Sequence, residues 1–197
     1  MKKNFTQIGK KVIELEIEGL KRLKNSIGKP FNEAIDAISK CQSKVILCGV
    51  GKSGLIASKI SATLSSVGTP SFVLSASDSS HGDLGSISKK DVLIKIIEIM
   101  SKKNSILYKN SNIKLLIPEV RESGYGIVPT SSTTSQLAMG DAIAISLMQQ
   151  KRFGRLDFKK IHPSGNLAKK LRTVEDLMLI KNKIPFIDEN SNLSHDI

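Results

Sequence analysis

Gly49-Val50-Gly51-Lys52-Ser53-Gly54 is the stretch of this 197-residue chain with the plainest capacity for chemistry. It follows a short apolar run and opens a helical pattern, so backbone N–H groups and the positive end of a helix dipole would face a bound phosphate. The spacing is not that of a P-loop, GxxxxGK followed by Ser or Thr, because the first glycine would fall on Ile46. It does fit GxGxxG, whose dinucleotide reading needs an acidic residue about 20 positions on. Asp78 is the nearest candidate, but it sits in a serine-rich loop, and the chain leaves little room for a separate catalytic domain. A second hydroxyl-rich run, Pro129-Thr130-Ser131-Ser132-Thr133-Thr134, offers further donors for phosphate oxygens, or simply a helix start with Thr133 or Thr134 as cap. Two such helix starts on one basic chain point to a phosphorylated ligand.

The elements that must position these residues follow from hydrophobic period. Phe5, Ile8, Val12, Leu15, Leu20 and Leu23 recur at near-helical spacing, interrupted at Glu16 and Gly19, and predict an amphipathic packing helix. Phe31, Ile35 and Ile38 share one face of a second helix, with Pro30 suited to its first turn. Lys44 to Cys48 then reads as a buried strand, and Ile56, Ile60 and Leu64 place a helix over Ser53 to Ser66. Further strands are expected at Ser71 to Leu74, Val92 to Ile94 and Ile113 to Ile117. A helix from about Thr134 to Gln149, apolar on most faces, belongs in the core or at a subunit contact. Strands alternating with helices predict a parallel α/β sheet.

Composition narrows the function classes. With 40% hydrophobic residues the chain can bury a core, which excludes a disordered linker. Its most apolar stretches are broken by Lys95, Glu98 and Asp141 and fall short of the ~20 residues that span a bilayer. The first residues carry no apolar core of a signal peptide, so a cytoplasmic location is expected. The net charge of +12 favours an anionic partner. Aromatics are only 4% and Trp is absent, so base-stacking residues are scarce, and neither nucleic acid nor membrane is expected as partner. Cys41 and Cys48 are too far apart for a CxxC pair and lack histidines at ligand spacing, so both are expected as buried thiols.

Four segments in order, GVGKSGLIASKISATLSSVGTP, SSHGDLG, VPTSSTTSQLAMGDAIAISLM and IHPSGNLAKKL, resemble successive landmarks of the sugar isomerase (SIS) domain of D-arabinose-5-phosphate isomerases. The resemblance runs from about Lys44 to Leu171. It implies a parallel-sheet α/β sandwich, flavodoxin-like and doubly wound, over residues 1–172. The implied reaction interconverts D-ribulose 5-phosphate and D-arabinose 5-phosphate, opening the route to Kdo and so to lipopolysaccharide or capsule. A homotetramer acting on a phosphorylated pentose without a cofactor is implied with it.

Aldose–ketose isomerisation needs a base, an acid for the carbonyl and hydroxyl oxygens, and a cation near the developing negative charge. By resemblance, Lys52 is the family's glycine-loop lysine, His162 its late histidine, acting as acid or base, and Glu122 its catalytic glutamate. The spacing from Glu122 to the PTSS motif is one residue shorter than in the family, and Glu119 is the substitute. Gly51, Ser53, Gly68, Thr69, His81, Thr130, Ser131 and Ser132 match substrate-contact positions. The histidine that some members use for inhibitory zinc would fall on Ser75, so no metal site is expected.

The chain also departs from the family. After Ile94 the family continues into a Ser-Asn-Ser-Gly-Glu turn and a helix, whereas here DVLI runs directly into KIIEIMSKKNS. Roughly two dozen residues of the pattern are absent, although parallel neighbours need a connection of about a dozen or more. From Thr173 the sequence resembles the opening of a cystathionine-β-synthase-type (CBS) module, which makes 173–197 a stub of a second domain. A non-catalytic phosphosugar-binding module is therefore the rival to an isomerase.

Overall fold

The computed structural model describes residues 4–75, 82–87, 97–100, 106–163, 170–171, 174 and 178–179. Two compact units divide the chain, Met1–Ile161 and His162–Ile197. The expected boundary at 172 and 173 falls inside the second unit, most of which lies outside the described residues, as do Asp78, His81 and the strand expected at Val92 to Ile94.

Helix α1 (Phe5–Ser26) starts at Asn4, whose side-chain oxygen accepts from the Gln7 amide at 3.2 Å. Its packing face is shorter than the apolar stripe suggests. Phe5 and Ile8 are 75% and 53% exposed, and burial is confined to Gly19 and Leu23. Gly19, which breaks the stripe, is where α1 comes closest to its neighbours: a Cβ there would stand 3.1 Å from Val120 and 3.5 Å from the Ser135 hydroxyl. Helix α2 (Lys29–Ser39) carries Pro30 in its first turn and buries Phe31, Ala34, Ile35 and Ile38.

Strand β1 (Val45–Gly49), helix α3 (Lys52–Ser66) and strand β2 (Ser71–Ser75) form a βαβ unit in which α3 packs on both strands. The strands pair in parallel, from Val45 opposite Ser71 to Gly49 opposite Ser75. A short 3-10 turn spans Asp83–Ser86. Strand β3 (Ile97–Met100) and strand β4 (Ile113–Leu116) also pair in parallel, with helix α4 (Ile106–Asn110) between them. Residues 101–112 thus supply the dozen or so that a parallel connection requires.

Helix α5 (Ser131–Gln150) packs against α1, α2 and α3. Ala144 and Leu147 are fully buried on it, Met139 and Ile143 nearly so, and Ala34, Leu64 and Ile113 close the same core around them. This is why its sequence is apolar on most faces. A short helix, α6 (Arg155–Ile161), ends the first unit. The cysteines correct an expectation. Cys41 is half-buried and Cys48 exposed, both as free thiols, because Cys48 sits near the open end of β1 where the glycine turn begins.

Candidate phosphate site

The turn from β1 into α3 is tight because two glycine backbones touch. A Cβ on Gly49 would lie 2.8 Å from the Gly54 nitrogen and from the Ser53 carbonyl, closer than real side chains come. Gly51 caps α3 with φ at 58°, a left-handed value that favours glycine. The helix can therefore begin immediately after the strand, with Lys52 and Ser53 as its first residues. Gly51, Lys52 and Ser53 are all exposed. No side chain caps this helix start; the Gly54 and Leu55 amides donate to the Gly51 carbonyl at 3.0 and 3.3 Å, which leaves the Lys52 and Ser53 amides as the ones an anion could take.

The start of α5 is in the opposite state. Glu122 accepts from the Thr130 amide at 2.8 Å, the Thr130 hydroxyl at 3.2 Å and the Ser132 amide at 3.2 Å, so both carboxylate oxygens are engaged. The Ser123 amide in turn donates to the Thr130 hydroxyl oxygen at 3.2 Å. Partial burial works to raise the Glu122 carboxyl, but the Ser132 and Thr130 hydrogen bonds outweigh it and hold its pKa below the ordinary value. The cap is therefore Thr130, with Glu122 reaching in from eight residues upstream, and not Thr133 or Thr134. Ser131 is fully buried, faces the Gly19 side of α1, and has no hydrogen-bond partner for its hydroxyl among the described residues. Of the groups read from sequence as ligand donors, the Thr130 amide and hydroxyl and the Ser132 amide are thus engaged by Glu122, while the Ser131 hydroxyl is buried without a partner among the described residues. Glu119 is exposed, and its carbonyl accepts from Arg22 at 3.2 Å.

Helices α3 and α5 run in the same direction. Lys59 pairs with Asp141, Ile60 sits on Gly140, and further along both helices Lys151 and Phe153 meet Thr69 and Gly68. The starts of the two helices, with Lys52 on one and the Glu122 knot on the other, therefore lie at the same end. Gly68 and Thr69 lie at the other end of a 15-residue helix, about 22 Å away at 1.5 Å per residue. There Thr69 is 1% exposed and its hydroxyl accepts from the Lys151 ammonium at 2.9 Å. Burial lowers the Lys151 pKa from its ordinary value, with Cys41 pulling weakly the other way. Gly68, at φ 80°, faces the Phe153 ring, which a Cβ would approach to 2.5 Å. In one chain the structure does not bring this pair to the Lys52 end. Lys151 was missed in the sequence, although a lysine closing a buried helix is a recognisable signal.

His162 opens the second unit, half-buried and engaged by a neighbouring group. Among the described residues no cluster of three or more His, Cys, Asp or Glu could hold a metal ion. No helix among them is long and apolar enough to cross a membrane.

No family model matches the chain. Its fold is nevertheless that of the SIS-type sugar isomerases. Over 82% of its length and 100% of the other chain it superposes on Escherichia coli CFT073 c3406, solved in complex with arabinose 5-phosphate, with a TM-score of 0.71 and 32% identity. A Listeria monocytogenes structure shares the fold at TM-score 0.77 and 23% identity, covering 83% of this chain and all of that one.

The chain is also 40% identical over 207 residues to the arabinose 5-phosphate isomerase KdsD of Francisella tularensis, covering 91% of this chain and 63% of the relative. To KdsD of Yersinia pestis it is 36% identical over 215 residues, covering 96% and 66%. The chain belongs to the arabinose 5-phosphate isomerase family of SIS-domain proteins. It spans about two thirds or slightly less of those two curated relatives, 66% and 63% of their lengths. Both alignments are longer than its 197 residues, so the relatives carry residues with no counterpart here.

Proposed function

We propose that the chain is an aldose–ketose isomerase that interconverts D-ribulose 5-phosphate and D-arabinose 5-phosphate in the cytoplasm, as a homotetramer and without a cofactor. The observation that carries this reading is the uncapped start of α3, with an exposed lysine as its first residue after a glycine turn. An anionic phosphate suits those amides, and the Lys52 ammonium suits both the phosphate and an enediolate. The reaction removes a proton from C1 of the ketose and delivers one to C2 through an enediol, while the carbonyl oxygen at C2 gains a proton and the C1 hydroxyl loses one. His162, which matches the family's late histidine, is the group we assign to acid–base work.

The test is direct: purified chain is given D-ribulose 5-phosphate and D-arabinose 5-phosphate is sought as product. Turnover in the wild type that is lost in Lys52→Ala supports the reading; ligand binding without turnover sinks it. The second outcome would support the rival, a non-catalytic phosphosugar-binding module. The direct junction of Ile94 and Lys95, where the family pattern has a Ser-Asn-Ser-Gly-Glu turn, favours that rival.

A further inference from the structure

A groove of about 630 Å³ lies between α2 and the closing turn of α5, at the opposite end of α5 from the Glu122 knot. That is room for a small molecule. Buried Phe31 and Ile35 line it with apolar surface. Helix α2 adds Asn32 and Asp36, one turn apart, and the end of α5 adds Gln149 and Gln150, with Arg152 just beyond. Asp36 and Arg152 share this groove without forming an ion pair, and neither charged group has a partner among the described residues.

Arg152 is also a residue that the backbone does not call for. Helix α5 closes in a Schellman turn: the Arg152 amide donates to the Gln149 carbonyl at 3.0 Å and the Phe153 amide to the Met148 carbonyl at 2.9 Å. The motif sets Arg152 at φ 53°, a left-handed position where glycine is the usual residue because a Cβ is disfavoured. Both bonds are made by main chain, so the turn would close more easily on glycine. An arginine held against its backbone preference, lining a groove with its guanidinium unpaired, points to a partner outside the chain.

We propose that this groove binds a small zwitterion of the free amino acid class, its carboxylate on the Arg152 guanidinium and its ammonium on the Asp36 carboxylate. Opposite charges that line one groove without meeting are matched by a ligand carrying both, and a planar guanidinium takes a carboxylate bidentately. A phosphate ester fits less well, because its charge of about −1.5 to −2 would face Asp36. The Asn32, Gln149 and Gln150 amides both donate and accept, and Phe31 and Ile35 cover an aliphatic portion. The groove is a 20-residue helix away from the α5 start, about 30 Å at 1.5 Å per residue, so the proposal does not rest on the isomerase reading.

The experiment titrates the full chain with glycine, L-glutamine and L-leucine at millimolar concentration, read by amide-resolved NMR in wild type, Asp36→Asn and Arg152→Gly. Saturable shifts at Asn32, Asp36, Gln149 and Gln150 are expected with at least one of the three. The N-acetyl and carboxamide derivatives of that amino acid, each lacking one charge, should bind about tenfold more weakly or worse, as should both variants. Arg152→Gly carries the sharper expectation: it should unfold at a higher urea concentration than wild type while losing the ligand. Binding of none of the three amino acids would overturn the proposal, as would a single-charge derivative that binds as tightly as its parent. Unchanged affinity in Arg152→Gly would overturn it too. An Arg152→Gly chain that is less stable than wild type, or does not fold, would make Arg152 a fold residue and count equally against it. D-arabinose 5-phosphate is titrated alongside. If it displaces the amino acid from the groove, the ligand is an anion and the zwitterion proposal fails, whereas its turnover or lack of it bears on the isomerase reading alone.

Discussion

Ile60 of α3 seats directly on Gly140 of α5, at a point where any Cβ on Gly140 would come within 2.5 Å of the isoleucine Cδ1. This contact, reinforced beside it by the Lys59–Asp141 ion pair, sets two parallel helices side by side with their starts at one end. The candidate site depends on that alignment, because one start carries Lys52 and the other the Glu122 knot.

Gly140→Val should therefore act through packing. Inserting a branched side chain into a closed helix contact typically costs about 1 to 3 kcal/mol. Urea unfolding should show a loss in that range, and D-arabinose 5-phosphate should bind more weakly to the folded fraction. Wild-type affinity in a destabilised variant would show that the site does not need the contact.

At the glycine turn the expected effect is on binding first. Gly49→Ala places a Cβ 2.8 Å from the Ser53 and Gly54 backbones, and backbone cannot step aside as a flexible side chain can. The turn must open, which displaces the α3 amides from a phosphate. Calorimetric titration should show affinity reduced tenfold or more, equivalent to about 1.4 kcal/mol.

Glu122 should also leave a signature in stability against pH. Its folded pKa is depressed below the ordinary value of 4.5, so its contribution is fully present above that value and is lost as pH falls through the lower folded pKa. The stability gap between wild type and Glu122→Gln should be constant near neutrality and close in the acid range below 4.5. A gap that widens on acidification would contradict the hydrogen bonding described here.

Thr69→Val separates fold from site. The substitution leaves the partly buried Lys151 ammonium without its 2.9 Å acceptor, which should cost about 1 to 3 kcal/mol of stability. Because Gly68 and Thr69 lie at the far end of α3, sugar phosphate affinity in the isolated chain should stay within about twofold, the scale of a change that touches no ligand contact. A large loss of affinity at full stability would return Thr69 to the binding site.

Much of this arrangement was legible in the sequence, and the reasons are local. The glycine turn, the β-branched run before it and the fourfold spacing of Ile56, Ile60 and Leu64 fix β1 and α3 to within a residue. The apolar run after Pro129 likewise announces a buried helix. That helix starts at Ser131, ahead of the expected Thr134, because its cap is completed by a carboxylate eight positions upstream of Thr130 that no periodic pattern encodes. The Lys151–Thr69 bond joins residues 82 apart, and such a pairing exists only once α3 and α5 lie parallel. The exposure of Phe5 and Ile8 shows the same limit: an apolar stripe says which face of a helix packs, but not how far along it the neighbours extend.

The most direct test of the central claim is an amide-resolved NMR titration of the chain with D-arabinose 5-phosphate. We expect saturable shifts at Lys52, Ser53 and Gly54, with Gly68 and Thr69 unmoved. Shifts centred on Gly68 and Thr69, or saturation that leaves the Lys52 turn unchanged, would contradict it.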